Sequence, residues 1–280
     1  VLPFTSKDEN RQILQCVNFE AKDGKLTLIG ADGFKLAVAT FDYDDGEGQA
    51  LILRDDLTGV ANALKRSKRV RVGFEPNGSL DGKNLIIDTE LVRYKLTGVN
   101  GNYPDWQKLI PTEFNCQANF DTIEAIKAVN SLKVLSDNPK DYPIDLTIGD
   151  GKVVMANPDD KGQAELPADT QGEVKIRIDG QYLAQALRAC GGMAEVKLTN
   201  AYSPMLFTVD GYQLVVMPLM SNYASEQAKK DGEAKVEAKP TEPEAEVETE
   251  PEPEATEPVA EQAEPKKTKR SRAKEPVTAK

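Results

Sequence analysis

The chain has 280 residues, 39% hydrophobic and 29% charged, with 46 acids against 35 bases and no histidine. That length corresponds to about two ordinary domains, and the apolar fraction can bury real cores. Without histidine, Ser-His-Asp and Cys-His catalytic units and imidazole metal sites are excluded. Cys16, Cys116 and Cys190 are odd in number, far apart and in no C-x-x-C, so neither a disulfide framework nor a thiolate zinc site is expected. A reducing, cytoplasmic setting follows, with no metal and no cofactor. No apolar run approaches the roughly 18 residues of a membrane span, and no signal segment opens the chain, so no membrane partner is expected. The net charge of −11 argues against a strongly basic nucleic-acid coat but leaves room for a local basic face. Because Val1 stands where a methionine would, we expect a segment upstream of it to have been removed.

In chain order, the first predicted element is a helix from Ser6, with Glu9 three residues on in a capping-box pattern and Ile13, Cys16 and Val17 turned inward. Alternating stretches at Leu26–Ile29 and Lys35–Ala39 read as strands. A second helix carries Leu57, Val60, Ala61 and Leu64, followed by strands at Val70–Phe74 and Val92–Leu96. A third helix starts at Asp121, with Glu124 placed to complete its cap, and a strand follows at Ile144–Ile148. After a strand at Val174–Ile178, a fourth helix carries Tyr182, Leu183, Ala186, Leu187 and Cys190 and stops at Gly191-Gly192. Met205–Val209 is a further strand. Asp-Gly pairs at 23–24, 32–33, 81–82, 150–151 and 210–211 suit tight hairpins.

This order repeats. Gly24 and Gly151 lie 127 residues apart, and Ala63-Leu64 and Ala186-Leu187 lie 123 apart. The fold class expected is α+β, with two copies of a helix-on-antiparallel-sheet module at 1–107 and 112–222. From Tyr223 the composition changes. The segment 223–280 holds 7 of the 17 prolines, glutamate at almost every second position between Pro240 and Glu264, and six bases between Lys266 and Lys274. So little apolar area cannot offset chain entropy, and the segment 223–280 is expected to be disordered.

The polar helix faces are basic or amide-rich. The second helix turns out Asn62, Lys65 and Arg66, with Arg69 just beyond; the fourth turns out Gln181, Gln185 and Arg188; the first turns out Arg11, Gln12 and Gln15. Acids collect instead in turns such as 42–47 and Asp159-Asp160. Such segregation suits a surface that meets phosphates without reading sequence, although a merely solvated face has the same pattern. A second constellation is apolar. Leu214–Met220 forms a hydrophobic strand, and Tyr103-Pro104-Asp105-Trp106 places the single tryptophan at the junction of the two modules, where peptide and ligand grooves form. Ordinary interdomain packing is the competing reading.

Gly30-Ala-Asp-Gly-Phe-Lys-Leu-Ala37, Tyr103-Pro-Asp-Trp-Gln-Lys-Leu-Ile-Pro111, Tyr182-Leu-Ala-Gln-Ala-Leu187, Ser203-Pro204 and Val215-Val-Met-Pro-Leu219 occur in an order and spacing that resembles the bacterial DNA sliding clamp, the beta subunit of DNA polymerase III. The resemblance covers residues 1–222. It implies the second and third of three clamp domains, each with two helices on antiparallel sheet, in a ring that closes as a head-to-tail homodimer when the first domain is present. It implies double-stranded DNA as a sequence-independent, topologically held partner, facing Arg11, Gln15, Asn62, Lys65, Arg66, Arg69, Gln181, Gln185 and Arg188. It also implies a pocket for short peptide motifs of the replicative polymerase and clamp loader, walled by Leu14, Ala31, Gly33, Phe34, Lys35, Leu36, Pro104, Lys108, Leu109, Val215, Met217, Pro218 and Leu219. Phe34 and Met220 stand where the family often has polar and basic residues. The family also ends soon after the Met-Pro-Leu strand, whereas here the chain runs on to Lys280.

A processivity factor of this kind is not an enzyme and needs no catalytic residue. A net-acidic body with a modest basic lining holds DNA loosely enough to slide, because each neutralised phosphate strengthens binding through counterion release. Two other readings are a peptide-binding adaptor that does not form a ring, and a hydrolase using Asp159 and Asp160 or Asp42, Asp44 and Asp45. The latter carboxylates read as turn residues with no convergent partner pair.

Overall fold

In the computed structural model, residues 1–76 and 83–237 are described. The first half contains β1 (Cys16–Lys22), β2 (Lys25–Ala31), β3 (Lys35–Asp42), β4 (Gly48–Leu53), α1 (Arg54–Leu64), β5 (Arg71–Pro76), β6 (Lys83–Asp88) and β7 (Arg93–Leu96). The second contains β8 (Cys116–Asp121), α2 (Thr122–Leu135), β9 (Pro143–Gly149), β10 (Lys152–Ala156), β11 (Gln163–Pro167), β12 (Asp169–Gln171), β13 (Val174–Asp179), α3 (Gly180–Cys190), β14 (Met193–Leu198), β15 (Met205–Val209) and β16 (Tyr212–Val216), before α4 (Asn222–Glu237). The predicted strands all find a place among these elements. Asp23-Gly24 and Asp150-Gly151 turn the β1–β2 and β9–β10 hairpins, with φ of 51° and 73° in the first and 51° and 71° in the second. Successive positive φ is what a tight two-residue hairpin demands. The Asp81-Gly82 pair lies outside the described residues.

Strand order makes the repeat visible. One sheet includes the run β3-β2-β1-β4, which leads through α1 into β5-β6-β7; β11-β10-β9-β13 leads in the same way through α3 into β14-β15-β16. Antiparallel pairing of β16 with β3, from Tyr212↔Ala39 to Val216↔Lys35, joins the halves into one nine-stranded sheet. In the second half, Ala125, Ala128, Val129 and Leu132 of α2 and Leu183, Ala186 and Leu187 of α3 close over Ile144, Leu146 and Ile148. In the first half, Leu57 of α1 packs with Val17, Phe19, Ile52, Leu85 and Ile87.

Two expectations are corrected. The helix predicted from Ser6 does not form; residues 2–4 and 12–15 make short 3-10 turns, and Cys16 and Val17 belong to β1. The Ser6 hydroxyl accepts from the Asp8 amide at 3.1 Å, and Asp8 Oδ1 accepts from the Asn10 amide at 3.0 Å. The Ser6 amide itself donates to the carbonyls of Leu14 and Ala31. Local bonds of this kind compete with helix formation. The first half therefore has one α-helix among its described residues, where the clamp resemblance implied two. Second, helix α4 stands where disorder was expected from Tyr223. The stretch before Pro240 is free of proline and rich in Ala, Glu, Gln and Lys, all good helix formers. Ala224 is fully buried, Gln227 accepts from the Ala201 amide at 3.2 Å, and the Tyr202 hydroxyl donates to Asp231 at 3.0 Å. Residues 238–280 of the expected disordered tail lie outside the described residues.

Candidate functional site at the junction of the halves

The junction grows from the turn between β2 and β3. Asp32 Oδ1 accepts from the amides of Phe34 and Lys35 at 2.9 and 2.8 Å, while Gly33 adopts φ 95°. That conformation favours glycine, and a β-carbon there would meet the Arg11 guanidinium at 2.6 Å. Phe34, more than half exposed at 54%, is held out on this turn. Its carbonyl accepts from the Met217 amide at 2.9 Å, and the Leu219 amide donates to the Arg177 carbonyl at 2.7 Å. Residues 217–219 are thus tethered at one end to the first half and at the other to β13.

Beneath lies a shared apolar cluster. Ile29, Ala31, Leu36 and Val38 from the first half meet Leu206 and Val215 from the second, and Leu14, Tyr103, Trp106, Ile110 and Phe114 pack against them. Burial pushes the Tyr103 phenol well above its ordinary range. The connecting segment reaches this cluster through Tyr103, Trp106 and Ile110, leaving Leu109 53% exposed between them. Met217 at 37% and Met220 at 67% add to the exposed apolar rim.

Of the thirteen residues expected in a pocket, Leu14, Ala31, Leu36 and Val215 meet in the cluster, and Gly33, Phe34, Met217, Pro218 and Leu219 are held over its edge by the bonds just given. Lys35 is placed differently from an open pocket wall. Its side chain is only 6% exposed, its Nζ lies 3.1 Å from Asp32, donates to Gln185 Oε1 at 3.0 Å and sits 3.9 Å from the centre of the Tyr182 ring. Pro104, Lys108 and Leu109 are exposed on the connecting segment, and Lys108 pairs with Asp105 at 2.7 Å. The Lys108 hydrogen bond holds the Asp105 carboxyl below the ordinary carboxylate range.

The nine residues expected to face DNA separate into three groups. Asn62, Lys65, Arg66 and Arg69 are exposed together around the end of α1. On α3, Arg188 is exposed, but Gln181 donates to the Lys140 carbonyl and Gln185 is engaged by Lys35. Arg11 and Gln15 are on no helix face, because the first helix is absent. Arg11 instead donates to the Asp32 carbonyl at 3.2 Å, beside the junction turn. The wheel reading failed there because it projected a 3.6-residue period onto chain whose polar side chains bond their own backbone.

Sequence reasoning missed Tyr182, whose ring faces Phe34 at a centroid distance of 6.2 Å as well as Lys35. The available signal was an aromatic residue directly after a capping aspartate; Asp179 accepts from the amides of Gln181 and Tyr182. Leu206 was missed too, and nothing in its local pattern marks it. The carboxylates weighed for hydrolysis sit in turns: the Asp159 amide bonds Asn157, Asp160 has φ 55°, and Asp42 pairs with Lys25.

A helix-backed antiparallel α+β fold, repeated and joined through a shared sheet with a peptide-sized apolar junction, is the class these features define. The fold is that of the sliding clamps. Solved structures of the DNA polymerase sliding clamp from Bacillus subtilis and the DNA polymerase III beta subunit from Pseudomonas aeruginosa both superpose with a TM-score of 0.69, at 20% and 21% identity, over 79% of this chain and 60% and 62% of theirs. Among curated proteins, the chain is similar to the beta sliding clamps of Streptomyces coelicolor and Synechocystis. It is 25% identical to the first over 232 residues and 26% identical to the second over 238, in each case across 76% of this chain. No family model matches. The chain spans about 60% of the length of these curated relatives.

Proposed function

We propose that this chain acts as part of a DNA sliding clamp, a non-catalytic processivity factor that holds double-stranded DNA by enclosure and tethers replication proteins at the junction of its halves. The observation that carries this reading is the junction itself: exposed apolar side chains of Phe34, Leu109 and Met217 stand over a cluster to which both halves contribute. Short motifs of a replicative polymerase and a clamp loader would anchor there through leucine or phenylalanine. Each anchor contributes about 1.5–3 kcal/mol by burial, and much of that is offset by the entropy of association. The contact is then weak and exchangeable, as partners that take turns require.

In this proposal, 1–107 and 112–222 act as two clamp domains, and closure into a homodimeric ring requires a further domain of the same kind. The cytoplasm is the expected location. DNA faces the exposed cations at the end of α1 together with Arg188. Charge reversal at Lys65, Arg66 and Arg188 should shorten retention on circular DNA and lower polymerase processivity while circular dichroism stays unchanged. Unaltered retention would remove the DNA-facing assignment.

A second reading, a peptide-binding adaptor that forms no ring, is favoured by the share of its relatives' length that the chain spans. Sedimentation and DNA-retention measurements on the 280-residue protein separate the two. A monomer that binds peptide but slides off no faster from circular than from linear DNA is the adaptor.

A further inference from the structure

Three cations approach the junction, and each is neutralised by an aspartate three residues before it. Arg11 Nε lies 3.5 Å from Asp8, Lys35 Nζ 3.1 Å from Asp32, and Lys108 Nζ 2.7 Å from Asp105. The same spacing, Asp-x-x-Lys or Asp-x-x-Arg, occurs on three separate segments: the turn before β1, the β2–β3 turn and the connecting segment. Arg11 and Lys35 are engaged further, the first by the Asp32 carbonyl and the second by Gln185 and the Tyr182 ring. Two of the pairs are exposed, where an ion pair is weak in energy; the charge nevertheless cancels whatever that energy is.

Resting on the peptide-binding reading above, we propose that this junction selects an uncharged peptide by its apolar side chains alone, with no acidic residue needed in the motif. Carboxylates on a ligand meet balanced pairs at the wall and, at longer range, a protein of net charge −11. Meanwhile the exposed surface of Phe34, Leu109, Met217 and Met220 offers contact area without regard to charge. Electrostatic steering therefore adds little, and affinity does not depend on ionic strength.

The test is calorimetric titration of the full 280-residue protein with two ten-residue peptides. Both carry two Leu/Phe anchors on a Ser/Gln background, and the second has two background positions changed to Asp. The neutral peptide should change in Kd by less than about twofold between 50 and 300 mM NaCl, and the acidic peptide should bind no tighter. An acidic peptide that binds tenfold tighter at 50 mM and loses that advantage at 300 mM would overturn the proposal. Freeing two cations, with Asp8→Asn and Asp105→Asn together, should raise the affinity of the acidic peptide relative to the neutral one by about three- to tenfold at 50 mM salt. No relative gain would also overturn it. If neither peptide binds, or if Met217→Asp leaves binding intact, the peptide-binding reading itself fails and takes this inference with it.

Discussion

The two halves share a strand order but not a cover. In the second, α2 lies beside α3 on the β9–β11 sheet, and the side chains between them are fully buried. In the first, α1 has no such neighbour among the described residues. A cavity of about 820 Å³ opens there, lined by Leu26 and Leu28 of β2, Ala39 and Phe41 of β3, and Leu57, Ala61 and Leu64 of α1, with Asp42, Asp44 and Asp45 among its lining residues. Those walls are the counterparts of the elements α2 packs against. One topology thus tolerates very different amounts of buried apolar area, and cohesion should concentrate where both helices are present.

The largest effect expected is in the second half. Phe207 is fully buried among Phe120, Val196 and Leu214. Phe207→Ala should cost about 3–5 kcal/mol in urea unfolding. Native-state hydrogen exchange should show β9 and β10 more protected than β5 and β6; equal protection would erase the contrast between the halves. Alkaline pH comes next. Burial pushes the thiols of Cys16, Cys116 and Cys190 up to about 11 from 9.0. The unfolded chain therefore loses these protons at lower pH than the folded one, and stability present below pH 9 should fall between pH 9 and 11. Two of the three thiols belong to the second half, so replacing Cys116 and Cys190 by Ser should flatten that fall more than replacing Cys16. Smaller still are the caps. Asp179→Ala, which deprives the Gln181 and Tyr182 amides of an acceptor, should cost about 1 kcal/mol. α1 starts at Leu53 with no side-chain cap, and Leu53→Asp should stabilise the first half by roughly half that. A thermal melt that shows the reverse order would contradict the assigned helix starts.

What could be read from the sequence was whatever local chemistry decides. Asp23-Gly24 and Asp150-Gly151 dictated their hairpins, Asp121 capped α2, and Gly191 with φ 63° ended α3. Glu124, expected to complete a capping box, pairs instead with Lys127, because a lysine three residues on competes for the same carboxylate. The failures lay where long-range pairing prevails. Cys16 and Val17 suit an amphipathic helix, but β2 and β4 flank them on both sides and claim their backbone groups. In the site, Gly33 and Phe34 were legible because an Asp-Gly turn must protrude. The latch from Lys35 to Gln185 was not, since those residues lie 150 positions apart and meet only once β16 pairs with β3.

The smallest expected effect tests the cavity most directly. Phe41 is 55% exposed at the cavity of the first half, whereas Val129 is fully buried under α2 in the second. Val129→Ala removes buried methyl groups and should lower stability by about 1–3 kcal/mol, with a shifted urea midpoint and an unchanged slope. Phe41→Ser removes a larger side chain, yet it should cost less than about 0.5 kcal/mol, because the ring already meets water over half its surface. The ranking is opposite to that of side-chain volume, so it separates burial from size. If Phe41→Ser proved the costlier change, the cavity of the first half would be closed in solution and the contrast in cover between the halves would be lost.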